Sequence, residues 1–356
     1  MAKKEATPNM IEQFADFKET KGIDKTTMIS VLEESFRNVL GKMFGTDENL
    51  DVILNPDKGD VQIFQNLTVV PDGEVTDPNL EEKVYGARDV LEDQGWRVRI
   101  APHTLGKWGN YSGTDQERYD DLEAALLDPE VRAIICSRGG YGVVHLMERL
   151  SKLDLKKDPK WIVGFSDISA LHALMASNNI SSVHASMAAH IMKGAKDLDN
   201  AALFNILSGV REAVSFPASS YDRPGIATGR LIGGNLAVLA DLIDTRFDVF
   251  RPDTVLFIED VSEPIYKIER ILYQLRLSGV LPNLAGLIVG QFTEYKADDS
   301  YKTMEQMVSD MVAPYSYPVA FQAPIGHVDH NIPVIENAKV TLKVTTTGEN
   351  FLIYWD

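Results

Sequence analysis

The sequence predicts an α/β protein, and three observations support this fold class. From residue 67 onward, short apolar runs of strand length alternate with helical segments. Glycine or an Asp-Pro pair ends several of these helical segments. Residues 1–65 follow a different pattern, with two helical segments before any strand. We therefore expect a parallel-sheet N-terminal domain and a smaller α/β C-terminal domain, preceded by an extra helical N-terminal appendage.

The appendage, residues 1–65, is predicted to contain two helices and a hairpin. The first helix begins at Ile11 and ends at Gly22, and apolar residues recur at helical spacing between 28 and 40. The predicted strands and the turn between them are 51–54, 61–64 and 55–59.

Residues 66–214 are predicted to form the α/β domain that carries a nucleophile. Its apolar runs are short, which is typical of strands buried on both faces of a parallel sheet. Ligands of such sheets bind at the carboxyl ends of the strands. The predicted strands are 67–70, 96–100, 133–136 and 161–164, and the predicted helices are 80–94, 115–127, 143–150 and 168–177.

Residues 215–356 are predicted to form the C-terminal domain. Serine and proline are frequent at 215–220, and we interpret this stretch as the linker. The predicted strands are 255–258, 286–289, 338–344 and 350–355, and the predicted helices are 234–244, 265–277 and 303–313.

Charge and cysteine content argue against several classes of protein. The chain has 52 acidic and 35 basic residues, so its net charge of −17 should repel nucleic acids and anionic membranes. Cys136 is the only cysteine, which excludes a disulfide framework. The sequence has no signal-peptide pattern and no apolar run of ~20 residues. We therefore expect a cytoplasmic protein, with no membrane segment, metal or cofactor.

A serine lies between a predicted strand and a predicted helix in Gly164-Phe165-Ser166-Asp167. A sharp strand-to-helix turn exposes a serine hydroxyl, and the following N–H groups can stabilise an oxyanion. The familiar motif has glycine two residues after the serine, where this chain has Ile168. Ser166 or Asp167 could instead cap the helix, so the pattern alone leaves both alternatives open.

A glycine-rich loop, Ser137-Arg138-Gly139-Gly140-Tyr141-Gly142, follows the predicted strand 133–136. Its bare N–H groups suit an anion or an oxyanion. The loop lacks the lysine and the Ser/Thr of a phosphate-binding P-loop, and it does not match a dinucleotide fingerprint. A tight turn without a ligand is the alternative.

Two carboxylates, Glu259 and Asp260, follow the predicted strand 255–258. A carboxylate at a strand end can orient a histidine or bind a metal. The alternative is that Asp260 or Ser262 caps the next helix.

The candidate base is one of the chain's seven histidines. His327 follows Pro324-Ile325-Gly326 at a predicted strand end, from which it can reach a cleft. His330 is its main rival. A metal cluster of His327, Asp329 and His330 is a further alternative, although no zinc signature supports it.

These segments together resemble the LD-carboxypeptidase family, which contains the muramoyl-tetrapeptide carboxypeptidases and the microcin C immunity peptidases. The resemblance begins at about residue 83 and continues to the C-terminus, with the motifs in the family's order. The motifs are 113–115, 138–142, 164–167, 229–236, 259–260, 270–274, 286–292 and 324–327.

The resemblance implies a serine peptidase with a Ser–His–Glu triad. By motif position, Ser166 is the nucleophile, Glu259 the orienting carboxylate and His327 the base. The implied donors to the oxyanion are the backbone N–H groups of Gly140 and Asp167. The implied substrate-binding residues are Arg138, Gly139, Tyr141 and Asn235.

Three positions depart from the family pattern. His184-Ala185-Ser186 stands where the family usually has His-Gly-Pro, and His145 stands where arginine is common. Pro333-Val334-Ile335-Glu336 replaces a glycine-containing turn. These departures bear on substrate fit and leave the triad positions intact.

Residues 9–80 resemble a different protein, the N-terminal, RNA-polymerase-binding domain of the transcription factor NusA. The motifs are Phe44-Gly45-Thr46-Asp47-Glu48-Asn49 and Asn55-Pro56-Asp57-Lys58-Gly59-Asp60. The opening strand of the peptidase family is replaced, and Leu67-Thr68-Val69-Val70 has the length and spacing to take its place. This implies a fusion, a recombination product or an artificial splice, and a contact of residues 1–65 with RNA polymerase.

The expected function is hydrolysis of the amide between an L-configured centre and a C-terminal D-amino acid. The expected substrate is a murein peptide, the expected role is peptidoglycan recycling, and the family implies a homodimer. One rival is a microcin C-type immunity peptidase that cleaves peptidyl-nucleotide antibiotics. The other is a non-catalytic RNA-polymerase-binding protein that acts through residues 1–65.

Overall fold

The computed structural model describes residues 30–36, 39, 50–55, 60–65, 79–297 and 300–355. The chain divides into two units, residues 1–73 and 74–356. In the first unit, residues 30–36 are helical, and strands β1 (Leu50–Asn55) and β2 (Asp60–Gln65) form an antiparallel hairpin. The predicted hairpin is confirmed. The predicted helix at Ile11 and the predicted strand at 67–70 lie outside the described residues.

The second unit alternates helices with short strands, as the sequence predicts. Its helices are α1 (Leu80–Asp93), α2 (Asp115–Leu127), α3 (Val144–Leu150), α4 (Ser169–Ser177), α5 (Ala188–Ile191), α6 (Leu198–Leu207), α7 (Leu236–Ala240), α8 (Ile265–Leu277) and α9 (Met304–Val312). Its strands are β3 (Ala133–Ile135), β4 (Trp161–Gly164), β5 (Ser182–His184), β6 (Val214–Pro217), β7 (Gly225–Asn235), β8 (Thr254–Val261), β9 (Gly286–Thr293), β10 (Val319–Ala320), β11 (Val334–Glu336), β12 (Lys339–Val344) and β13 (Glu349–Tyr354).

The smaller sheet has four strands in the order β11-β5-β4-β3. Strands β3, β4 and β5 are parallel, and β11 pairs antiparallel with β5 through Val334↔His184. The strand β11 comes from the second half of the chain. It therefore completes a sheet whose other strands all lie between residues 133 and 184.

The larger sheet has seven strands in the order β10-β9-β8-β7-β12-β13-β6. Strands β7 to β10 are mutually parallel, whereas β12, β13 and β6 are antiparallel to their neighbours. The chain is thus α/β with parallel strands in both halves, as predicted. Both sheets present carboxyl strand ends at which a site can form.

Helix α8 shows how the sequence pattern produces the packing. Ile265, Ile268, Leu272 and Leu275 recur at three- and four-residue intervals, and each is at most 5% exposed. Side chains at this spacing lie on one face of a helix, so α8 buries that face in the hydrophobic core. Its predicted bounds agree with the structure.

Three predicted segments differ from the structure. The predicted linker at 215–220 begins inside β6, which pairs with β13. Residues 96–100, predicted as a strand, have no strand assignment, and no described strand lies beyond β3 at that edge of the sheet to pair with them. The predicted helix at 234–244 is shorter, because β7 continues through Asn235 before α7 begins. Strand β7 was not predicted because glycines interrupt its apolar pattern. A Cβ on Gly233 would lie 2.0 Å from the carbonyl oxygen of Phe257, so glycine lets β7 approach β8.

Candidate active site

Ser166 lies on a strained turn at the carboxyl end of β4. Its φ of +66° is in the left-handed region, which non-glycine residues rarely adopt and which is frequent at functional sites. The turn is tight on the side of Gly164, where a Cβ would lie 2.9 Å from Cγ1 of Ile168. In the familiar motif, the glycine that gives space for the turn follows the serine. In this chain, Gly164, two residues before Ser166, gives that space.

The helix-cap interpretation of this turn has no support in the contacts. The N-cap residues of the 3-10 turn and of α4 are Phe165 and Ile168, and neither makes a side-chain capping hydrogen bond. The Asp167 carboxylate instead accepts a hydrogen bond from the backbone N–H of Val143 at 2.9 Å. Burial raises the pKa of Asp167, and this hydrogen bond opposes the shift.

The glycine-rich loop packs directly against the serine. A Cβ on Gly139 would lie 2.8 Å from Cβ and 2.9 Å from Oγ of Ser166. Together with the bond between Asp167 and Val143, this contact ties residues 138–143 to the serine turn. The backbone of the loop is therefore adjacent to the serine hydroxyl, where an oxyanion donor is needed.

Glu259 and His327 form a hydrogen-bonded pair at the end of β8. Nδ1 of His327 lies 2.8 Å from Oε2 of Glu259, whose side chain is fully buried. Gly326 has a φ of +130°, and a Cβ there would lie 3.0 Å from Oε2 of Glu259. Only glycine therefore lets this loop run against the carboxylate.

Burial would raise the pKa of Glu259, but contacts with His184 and His327 outweigh burial and lower it below its usual value. The carboxylate thus remains charged near neutral pH. His184 also faces the Glu259 carboxylate, with its Nε2 3.9 Å from Oε1.

His327 lies beside the serine turn. Its ring centroid is 4.8 Å from that of Phe165, the residue directly before Ser166. Three predicted site residues, Ser166, Glu259 and His327, are thus brought into one neighbourhood from three different segments. His330 is turned elsewhere, since its Nδ1 lies 2.8 Å from Oδ1 of Asp199.

The suggested metal cluster of His327, Asp329 and His330 does not converge. The two histidines contact different carboxylates, and the Asp329 side chain is fully exposed. Within the described part of the chain, the one group of three side chains close enough to share an ion is His190, Asp197 and Asp199.

The group formed by His190, Asp197 and Asp199 was missed by sequence reasoning, because its spacing matches no metal signature. Its members already satisfy one another, with Nε2 of His190 2.8 Å from Oδ1 of Asp197. Asp197 also caps helix α6. The group therefore acts as a hydrogen-bonded cluster that holds the start of α6.

Arg138 and Tyr141, predicted to bind substrate, are positioned by the glycine-rich loop. Arg138 is half-buried, and its Nε has no hydrogen-bond partner among the described residues. Tyr141 is 62% exposed and lies next to Tyr111 and His145, at ring-centroid distances of 6.0 and 5.6 Å. Tyr141 is therefore open to a ligand, whereas the Nε of Arg138 is buried without a protein partner.

Asn235 is engaged within the protein. Its side chain caps α7 through the N–H of Val238 and donates to Asp260 at 3.0 Å. Asp260 also accepts from the N–H of Ala237, so it does not cap α8, whose N-cap residue is Pro264. Substrate binding by Asn235 stays a prediction.

Sequence models of known families match most of the chain. The LD-carboxypeptidase N-terminal domain model matches residues 69–185, and the LD-carboxypeptidase C-terminal domain model matches residues 228–342. The first match begins before residue 83. A model of the NusA N-terminal domain matches residues 9–106 and overlaps it. Both resemblances noted in the sequence are thus confirmed.

Relatives and solved structures agree with these matches. The "Probable murein peptide carboxypeptidase" of Bacillus subtilis is 30% identical over 71% of this chain and 81% of that protein. The murein tetrapeptide carboxypeptidase of Pseudomonas aeruginosa is 27% identical over 68% of this chain and 82% of that protein.

The crystal structure of muramoyltetrapeptide carboxypeptidase from Oxalobacter formigenes has a TM-score of 0.70 and 26% identity, covering 81% of this chain and 97% of that one. The structure of MccF with glutamyl sulfamoyl guanosine has a TM-score of 0.68 at 19% identity, covering 78% of this chain and 92% of that one. This second likeness shows the fold alone.

The fold and these matches define a peptidase of the carboxypeptidase type. The chain belongs to the LD-carboxypeptidase family. No helix in the described ranges is long and apolar enough to cross a membrane.

Proposed function

We propose that this chain is a serine LD-carboxypeptidase that releases the terminal D-amino acid of a murein tetrapeptide. Ser166 is the nucleophile, His327 the general base and Glu259 the residue that orients His327. The observation that carries the proposal is the 2.8 Å bond between Glu259 and His327, with the His327 ring against Phe165 beside the strained Ser166.

The geometry supports one assignment of protons. Because Nδ1 of His327 faces the Glu259 carboxylate, it carries the proton, and Nε2 is left as the base. Nε2 takes the Ser166 proton as Oγ attacks the scissile carbonyl carbon. The C–N bond then breaks, and His327 gives that proton to the leaving amine. Water attacks the acyl-enzyme by the same route in reverse and frees Ser166.

The oxyanion of the tetrahedral intermediate is assigned to the backbone N–H groups of Gly140 and Asp167. The contact between Gly139 and Ser166 and the bond between Asp167 and Val143 support this assignment, because they fix both segments beside the serine. Fixed donors of this kind stabilise developing charge without reorganisation.

Substrate contacts are assigned to Arg138, Gly139, Tyr141 and Asn235. A carboxypeptidase must recognise a terminal carboxylate, and a guanidinium matches that group in a bidentate geometry. The unpartnered Nε of Arg138, next to the glycine that touches Ser166, supports Arg138 for this task.

The organisation of the chain is part of the proposal. We assign residues 1–65 to a NusA-like appendage, 66–214 to the domain of the nucleophile and 215–356 to the domain of Glu259 and His327. We further propose a cytoplasmic homodimer that acts in peptidoglycan recycling. The match to the NusA N-terminal domain supports a contact of the appendage with RNA polymerase.

Hydrolysis assays with the purified full-length chain test the proposal. A tetrapeptide ending in D-alanine should lose that residue, whereas the same peptide ending in L-alanine should be stable. Cleavage of a peptidyl-nucleotide in preference to the tetrapeptide would favour the immunity-peptidase function. Binding of RNA polymerase without any hydrolysis would favour the non-catalytic alternative.

A further inference from the structure

His184 lies on the opposite side of Glu259 from His327. It is the last residue of β5, its side chain is fully buried, and its Nε2 is 3.9 Å from Oε1 of Glu259. The other carboxylate oxygen, Oε2, is bonded to His327 at 2.8 Å. The carboxylate is therefore held between two imidazoles, one on each oxygen.

The polar atoms on the His184 side have no other protein partner. The two ring nitrogens of His184 make no hydrogen bond to any described residue, and Oε1 of Glu259 makes none either. Buried polar groups are rarely left unpaired, because they have lost their hydration. Nε2 of His184 and Oε1 of Glu259 face one another, so their electrostatic attraction can offset the hydration that each has lost. This attraction is strong because water is excluded from the buried site.

His184 also joins the two halves of the site. It pairs in register with Gly164, two residues before Ser166, whereas Glu259 belongs to the larger sheet. The Phe165 ring lies between the two histidines, with its centroid 5.9 Å from that of His184 and 4.8 Å from that of His327. A displacement of His184 would therefore be felt by the serine turn and by the carboxylate.

We infer that His184 is a positioning residue, which fixes the orientation and the charge of Glu259 and thereby aligns His327 with Ser166. This role deepens the proposed function and rests on it. His184 acts through Glu259 and through the serine turn, and it is assigned no contact of its own with the reacting atoms.

Glu259 is the charged group that His184 faces, because the other titratable groups near it are held in their neutral forms. Among its described neighbours, His172 on α4 has its ring centroid 6.3 Å away, and burial lowers the pKa of His172 to about 3, so it is neutral. Glu336 on β11 lies 3.9 Å from His172, and burial raises its pKa well above the usual value. His184 is itself among the contacts that keep the pKa of Glu259 low.

The test compares His184→Phe, which keeps a buried ring without nitrogen, with His184→Gln, which keeps an N–H donor. We expect His184→Phe to lower kcat by up to about 100-fold, because a small misplacement of His327 relative to Ser166 slows the chemical step, with little change in KM. The part of the acid limb of kcat at which Glu259 itself becomes protonated should move to higher pH, because the Glu259 carboxylate loses a contact that favours its charged form. His184→Gln should retain more activity than His184→Phe.

The control is Val183→Ala, which shortens a buried side chain on the same strand and leaves Glu259 untouched. It should lower the melting temperature without moving the pH profile. If folded His184→Phe keeps the wild-type kcat and acid limb, the inference is wrong. If His184→Phe does not fold, His184→Leu, which also lacks a ring nitrogen, replaces it and is judged by the same kcat and acid limb.

The rate at which a fluorophosphonate labels Ser166 separates this inference from the proposed function. Labelling needs the activated serine but no peptide substrate. If the wild-type enzyme is labelled but does not hydrolyse the tetrapeptide, the proposed substrate is wrong. Equal labelling rates of wild type and His184→Phe would overturn the role of His184.

Discussion

Gly139 and Ser166 are so close that a Cβ on the glycine would lie 2.9 Å from the serine Oγ. Gly139→Ala should therefore displace the serine hydroxyl. We expect kcat/KM to fall by about 10²-fold, as a shift of ~1 Å in a reacting group can cause. Gly209→Ala is the control for backbone strain alone: its φ of +89° strains an alanine, but a Cβ there meets nothing within 4 Å, so it should lower the melting temperature and leave kcat/KM unchanged. Full activity of Gly139→Ala would contradict this packing.

Ser166→Ala should abolish hydrolysis while the fold is kept. Loss of an activated nucleophile costs ~10⁴-fold or more in kcat. Mass spectrometry after fluorophosphonate treatment should find the label on Ser166. Ser169 should stay unlabelled, because its Oγ accepts the backbone N–H of Asn235 at 2.9 Å. Turnover in Ser166→Ala close to that of the wild type would refute the nucleophile assignment.

The two rival histidines should differ sharply in their effect on kcat. His327→Ala should be nearly as damaging as Ser166→Ala, since residues of one catalytic unit are not additive. His330→Ala should retain much of the activity, because His330 contacts Asp199 and not Glu259. EDTA should leave the rate unchanged. Loss of activity in EDTA, restored by zinc, would instead indicate a metal enzyme.

Glu336 should make stability depend on pH. Burial raises its folded-state pKa well above the usual 4.5, and the hydrogen bond from the Gly233 N–H opposes the shift. Folding therefore favours the protonated form. That contribution to stability is complete below the unfolded pKa, which is close to this usual value, and is lost as pH rises through the folded pKa. Glu336→Gln removes this loss of stability. The melting temperature of the variant minus that of the wild type should therefore be larger at pH 8 than at pH 4. An equal difference at both pH values would contradict the argument.

Two truncations test the junction of the NusA-like and peptidase segments. An internal strand cannot simply be missing from a sheet, because each buried, unpaired backbone group costs ~1–3 kcal/mol. If residues 67–70 supply that strand, deleting 1–60 should leave folding and hydrolysis nearly unchanged. Deleting 1–75 should then destabilise the enzyme severely, because the total free energy of unfolding of a native protein is only ~5–15 kcal/mol. Urea unfolding measures both effects, and identical behaviour of the two truncations would disprove this account.

Local signals in the sequence were sufficient for much of the fold. The bounds of α2 and α8 follow from helical periodicity and from their terminal residues. Ser166 and Glu259 could be proposed as site residues because each follows a short apolar run at a strand end. The choice of His327 needed the family motif, since seven histidines were available.

Contacts between distant segments could not be predicted in this way. His184 is one residue of a short strand, and its significance depends on Glu259, which lies on another sheet. The pairing of β11 with β5 joins segments far apart in the sequence. Neither contact leaves a periodicity or a local motif that a single sequence could show.

The pairing of β11 with β5 also constrains when the protein can become active during synthesis. Strand β5 has no partner on that edge until Val334–Glu336 has left the ribosome, so a nascent chain that already contains Ser166 exposes an open strand edge. Open edges of this kind invite pairing with other chains. A fragment that ends at residue 214 should therefore aggregate rather than fold, and supplying the segment from 215 onward during its synthesis should rescue it.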